Sequence, residues 1–256
     1  EERDTYIELT EAIKKEIIVD DTTKEVILTE KGKKLCIMRS RLIAGAREKI
    51  SALISVIEPY KDKNKILIYC GATKYEEDIS STDNNDDVRQ ICEVMKRIYD
   101  EYGMSISKFT AEEDSETRTI LIQKFSEGKE LQALAAIKCL DEGVNIPSIK
   151  TAFILASSTN PKEYIQRRGR VLRLSEGKEF AEIYDFITLP YDRDTIENKS
   201  DDEMNTFRAL AKREVTRMKE FSSLSMNEMD SFTLIRELEN RFGLNKQDFK
   251  EDFIDV

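Results

Sequence analysis

EYIQRRGRVLR, residues 163–173, places Arg167, Arg168, Arg170 and Arg173 within seven positions, around Gly169. The chain that carries them is acidic, with a net charge of −10. On an α-helix the spacing i, i+4, i+7 puts Gln166, Arg170 and Arg173 on one stripe. Ile165, Gly169 and Leu172 form the neighbouring stripe. That stripe is expected to bury against a sheet, with Gly169 permitting close approach at a propensity cost of about 1 kcal/mol. Asn160-Pro161-Lys162-Glu163 opens such a helix: Asn as N-cap, Pro at the first helical position and Glu at the third. Lysine is common elsewhere in the chain, so arginine here suggests planar, bidentate recognition of phosphate.

Outward from this stretch, short apolar runs alternate with amphipathic ones. KILIYC (65–70), SISKF (105–109), LAAIKC (134–139), TAFILAS (151–157) and EIYDFI (182–187) have the β-rich character of strands, several of them buried. DVRQICEVMKRIYDEYG (87–103) and SETRTILIQKFSEG (115–128) have helical periodicity, the second with Ser115 as expected N-cap and Gly128 just past its end. Such alternation predicts an α/β fold, a mostly parallel sheet covered on both faces. Before it, residues 4–16 are predicted helical, and EVILT (25–29) is a short strand or a loop. Residues 30–58 are predicted as two helices, or one bent at Gly45, ending at Pro59. After it, a polar acidic connector leads to two amphipathic helices over 203–224 and 226–242.

Composition narrows the function classes. The chain has 256 residues, 39% hydrophobic and 36% charged, enough for one large domain or a domain with an appendage. No apolar run reaches the 18 residues of a membrane helix. The acidic start is neither a signal nor a transit peptide, and since it lacks Met the chain is expected to be a piece of a longer one. There is no histidine, which excludes histidine triads, bases and metal ligands. Cys36, Cys70, Cys92 and Cys139 form no CxxC pair. Buried free thiols at Cys70 and Cys139, and a reducing cytoplasmic setting, are expected. Charge is polarised: residues 76–87 hold six acids and no base, whereas residues 161–178 hold six bases against two acids.

QRRGRVLR (166–173) resembles motif VI of superfamily 2 helicases and translocases. CLDEGVNIPS (139–148) resembles their motif V, ILIYCGAT (66–73) their motif IV, and ETRTILIQKFSEG (116–128) the segment between. Order and spacing agree over roughly residues 60–188. The family's fold is two RecA-like domains with ATP between them, and this chain resembles the second alone. No glycine begins a GxxxxGK[ST] phosphate loop; of the Asp-Glu pairs, DEGV (141–144) sits inside the motif V match, DEYG (100–103) ends a helix and DEMN (202–205) follows a polar linker, so none resembles the Mg²⁺-binding DExx motif.

The resemblance implies roles. Arg170 and Arg173 are expected to reach the γ-phosphate of ATP from across a cleft, with Gln166 near that phosphate or the attacking water. Arg167 is a structural pairing residue whose usual partner position holds Lys138, with Asp141 as substitute. Gly143 shapes the loop at the cleft, and Asn145 stands where the family places an Asp on the ribose. Gly71, Ala72, Thr73, Thr110 and Lys138 are the expected contacts to nucleic-acid phosphates. Mg²⁺ belongs to the missing first domain, so this chain alone is not expected to hydrolyse ATP. The wording of motifs V and VI resembles restriction-enzyme motor subunits and repair helicases, which implies DNA, the first RecA-like domain and other restriction or repair subunits as partners, with no membrane.

The expected organisation is a helical N-terminal extension over 1–60 packing on the motor domain, a RecA-like domain over 61–190, and a linker with C-terminal helices over 191–256. The alternative is a RecA-like module without catalysis that serves as a protein or nucleic-acid platform.

Overall fold

The computed structural model describes residues 1–19, 26–71, 86–137, 146, 149–156, 161–192 and 195–244. Ala72, Thr73, Lys138, Cys139, Asp141, Gly143, Asn145 and the expected cap Asn160 lie outside them. The chain divides into two compact units, Glu1–Leu42 with Ile187–Val256, and Ile43–Phe186. The extension expected over 1–60 is thereby shared between them.

The second unit is built on a five-stranded sheet of β3 (Ile66–Tyr69), β4 (Ile106–Phe109), β5 (Ala133–Ala136), β6 (Thr151–Ile154) and β7 (Glu182–Asp185). Its order is β4-β5-β3-β6-β7 and every pairing is parallel. This is the expected RecA-like α/β sheet. Its helices are α3 (Glu48–Ile57), α4 (Asp86–Tyr102), α5 (Ser115–Glu127) and α6 (Pro161–Val171). Leu53, Ile54 and Ile57 of α3 and Ile91, Val94 and Ile98 of α4 pack on Ile66, Ile68, Ala133, Ala135 and Phe153. The alternate positions Leu67, Tyr69, Leu134 and Ala136 are as deeply buried. Because strand side chains alternate between faces, both faces are covered.

Helix α5 starts one residue earlier than expected. Its N-cap is Asp114, whose carboxylate accepts from the Thr117 N–H at 2.8 Å, and Ser115 is the first helical residue. Asp and Ser cap equally well, and here Asp occupies the non-helical position. At the other end Gly128 adopts φ +69, as its place past the helix predicted, and its carbonyl accepts from Asn64 Nδ2. A Cβ at Gly128 would lie 2.7 Å from that Nδ2. Gly128→Ala combines a left-handed backbone with this overlap, so a loss of about 2 kcal/mol in urea denaturation is expected.

The first unit holds α1 (Glu2–Lys14), the antiparallel pair β1 (Ile17–Val19) and β2 (Val26–Leu28), α2 (Glu30–Ala44, its last residues crossing into the second unit), α7 (Asp201–Ser222) and α8 (Glu228–Arg241). Gly45 falls between α2 and α3, so the long helical pattern is two helices. Ile13, Leu28 and Cys36 make a small core. In α7, Arg217 donates to both carboxylate oxygens of Glu214, at 2.8 and 2.9 Å, with both side chains buried. Glu214 also accepts from the Thr188 N–H at 2.8 Å. Cys36 and Cys70 are buried free thiols and Cys92 is exposed. No helix among the described residues is long and apolar enough to cross a membrane.

Candidate functional site

In open parallel sheets ligands sit beyond the carboxyl ends of the strands. Two helices reach that edge through polar residues at the starts of their buried stripes. In α4 the stripe is Val94 and Ile98, and one turn before it stands Gln90, 7% exposed. Its Oε1 accepts from the Gly71 N–H at 2.7 Å and its Nε2 donates to the Ala44 carbonyl at 3.1 Å. In α3 Lys49 precedes Leu53 by one turn, is equally buried, and donates to the Leu155 carbonyl at 2.8 Å. Leu155 and Ala156 in turn donate to the Tyr69 carbonyl. Gln90 and Lys49 thus pin the ends of β3 and β6. A polar residue one turn before a buried stripe is the signal that would have found both.

Gly71 is therefore buried, and its N–H serves its own chain. A Cβ there would meet Ala44, Ala156 and Gln90 at 3.3 Å, which accounts for glycine. Thr110, at the end of β4, is likewise occupied. Its N–H and hydroxyl both donate to Glu113 Oε2, and its carbonyl accepts from Arg118 Nη2 at 2.9 Å. A carboxylate fills the place where an anionic ligand would meet these donors.

Burial alone would raise the Glu113 pKa, but the Thr110 N–H and hydroxyl, with Lys108 nearby, hold it below the ordinary value of 4.5. A depressed carboxylate pKa stabilises the fold above the unfolded value, and the contribution is lost as pH falls through the folded one. Amide exchange at Thr110 is expected to accelerate, beyond its intrinsic pH dependence, as pH falls below about 4.5, and Glu113→Gln to abolish that step. Superimposable acid profiles for the two proteins would contradict this.

Helix α6 carries the arginines. Gln166 is exposed, Arg170 half-buried and Arg173 exposed. The helix ends at Val171, but the Leu172 N–H reaches the Arg168 carbonyl and the Arg173 N–H the Arg170 carbonyl. The turn so continues that Arg173 follows the stripe of Gln166 and Arg170. The expected buried stripe is not the one observed. Ile165 and Leu172 are 42% and 47% exposed, and a Cβ on Gly169 would meet no described atom within 4 Å. Among the described side chains of α6, the buried ones are Arg168 and Val171. Hydrophobic periodicity cannot find a face whose second member is a guanidinium. The backbone of Arg167 lies in α6. Among the described residues no group of three Asp, Glu or Cys side chains is placed to hold a metal ion. Two guanidiniums and an amide on one stripe form a donor set suited to a polyphosphate.

Residues 48–175 match the family described as the helicase conserved C-terminal domain. A curated relative, the DNA 3'-5' translocase XPB2 of Sulfurisphaera tokodaii, is 26% identical over 132 residues, 52% of this chain and 25% of the relative. The match spans about a quarter of that relative's length. Among solved structures, the C-terminal part of the Fun30 ATPase domain is 17% identical with a TM-score of 0.44, covering 76% of this chain and 52% of that one. The C-terminal domain of the DEAD-box protein Dbp5 is 16% identical with a TM-score of 0.44, covering 76% and 93%.

Proposed function

We propose, from the premise that this chain belongs to the helicase conserved C-terminal domain family, that it is the second motor domain of an ATP-dependent DNA helicase or translocase. Family membership makes it a helicase C-terminal domain, and the motor, its nucleotide and its DNA are our reading. What carries that reading is the single stripe of Gln166, Arg170 and Arg173 at the end of α6. A scaffold has no need of two guanidiniums held in register.

ATP, with Mg²⁺ held by a first motor domain, would supply the γ-phosphoryl group that is transferred to water. Arg170 and Arg173 would stabilise the charge that develops on it, and Gln166 would orient the water or the phosphate. Gly143 and Asn145 are assigned to the cleft loop and the ribose. DNA over RNA is supported by the translocase relative and by the wording of motifs V and VI. Phosphate contacts are assigned to Ala72, Thr73 and Lys138. The N–H groups of Gly71 and Thr110 are already committed to Gln90 and Glu113 and would have to be released first. Without a phosphate loop, the 256 residues alone are expected to be inactive.

The test is ATP hydrolysis by the full natural chain with and without DNA, in the parent and in Arg170→Ala. DNA-dependent hydrolysis lost in the variant, with nucleotide still bound, upholds the motor. No hydrolysis in the parent, or an unaffected variant, replaces it with a binding platform.

A further inference from the structure

A helix C-terminus leaves carbonyls without intrahelical partners. At the end of α6 no glycine supplies a left-handed cap, because Leu172 and Arg173 follow directly. Two of the carbonyls there are taken by one side chain: Lys178 Nζ donates to the carbonyl of Val171 and, at 2.9 Å, to that of Arg173. The ammonium is brought back over the helix end by a turn over 175–178, closed by the Lys178 N–H on the Ser175 carbonyl, with Gly177 at φ +70. The positive charge also suits the negative end of the helix dipole.

This cap has a cost that a solvated helix end would not carry. Partial burial disfavours the Lys178 ammonium and lowers its pKa. Water could satisfy the same carbonyls without burying a charge. The cap holds the carbonyl of Arg173, while the N–H of Arg173 holds the carbonyl of Arg170. Lys178 therefore closes a chain of backbone contacts that runs through both arginines of the stripe.

We infer that Lys178 is a positioning residue, which fixes the backbone from which Arg170 and Arg173 project towards a polyphosphate. The inference rests on the motor reading above. A misplacement of about 1 Å in a group that must meet a transition state can cost about 10²-fold in rate. Lys178 itself touches neither nucleotide nor nucleic acid.

The experiment uses the full natural chain and three variants: Lys178→Met, which keeps the stem and removes the donors; Lys178→Arg, which restores donors; and Gly177→Ala, which strains the turn and leaves the lysine. DNA-stimulated ATP hydrolysis is measured with amide exchange over residues 170–178. Lys178→Met is expected to lower kcat roughly 10- to 100-fold with KM for ATP within about twofold, and to accelerate exchange in that segment alone. Lys178→Arg is expected to recover most of kcat, and Gly177→Ala to show a smaller loss of the same kind. If Lys178→Met does not fold, the same split in Gly177→Ala carries the test. An unchanged kcat in a folded variant overturns the inference, and so does a KM that rises in step. Arg170→Ala separates the two readings: if it abolishes hydrolysis while Lys178→Met does not alter it, the positioning role fails and the motor stands. If Arg170→Ala is also without effect, the motor reading fails.

Discussion

Arg170→Ala in the full natural chain is expected to lower DNA-stimulated kcat by about 10³-fold or more while KM for ATP changes little. The size follows from when the guanidinium acts. As the bond to the leaving group loosens, the transferring phosphoryl group flattens and charge builds on the leaving oxygen, so an arginine aimed at that arrangement stabilises the transition state more than bound ATP. A side chain that merely held nucleotide would raise KM and spare kcat. Arg170 and Arg173 share a stripe and a chain of backbone contacts, so their effects should not add. The double variant is expected to be little worse than Arg170→Ala alone. Arg170→Lys should recover only a small part, since an ammonium cannot reproduce the planar fork. Single-turnover hydrolysis with saturating DNA checks all three. A loss confined to KM would remove Arg170 from the transition state.

Glu214→Leu is expected to destabilise the helical unit that contains α7 by about 3–5 kcal/mol, because it takes the carboxylate from a buried guanidinium. Arg217 loses hydrogen bonds of 2.8 and 2.9 Å, and the Thr188 N–H loses its acceptor. Glu214→Leu with Arg217→Leu removes both charges, and apolar replacement of a buried pair is often neutral or better. The double variant should therefore be more stable than Glu214→Leu, though short of the parent, because the Thr188 amide has lost its bond to the Glu214 carboxylate, at a cost of about 1–3 kcal/mol. Amide exchange within α7 reads this directly. It should rise roughly 10²- to 10⁴-fold in Glu214→Leu and fall back in the double variant. A double variant as fast as the single one would show that the pair is not the source of the stability.

The five parallel strands were legible as short runs of β-rich character, most of them flanked on at least one side by helical periodicity. Gly45 also marked the break between α2 and α3. Strand β1 was not legible: Ile17–Val19 is three residues long and follows the predicted helix without a turn signal, so its pairing with β2 is set by register in three dimensions. The face of α6 was misread for a different reason. Counting apolar side chains selects Ile165 and Leu172, whereas the fold buries Arg168 beside Val171 and leaves those two in solvent. Arginine type and spacing were readable; the lysine that caps them was not, since it lies outside the helical pattern and acts through backbone carbonyls. Gln90 and Glu113 were missed likewise, because Gln90 acts on main-chain groups and Glu113 on the amide and hydroxyl of Thr110, contacts that leave no hydrophobic pattern.

The distribution of thiols gives the protein its own chemical reporters. Cys36 belongs to the small core of the first unit and Cys70 to the sheet core of the second. Burial pushes the Cys70 thiol up to about 12, so almost no thiolate exists there at neutral pH. Among the described thiols, alkylation of the folded protein should begin at exposed Cys92, whereas Cys36 and Cys70 should react only when their own unit opens. Mass spectrometry of one labelling time course would then return two opening rates, one per unit, without a mutation or an attached dye.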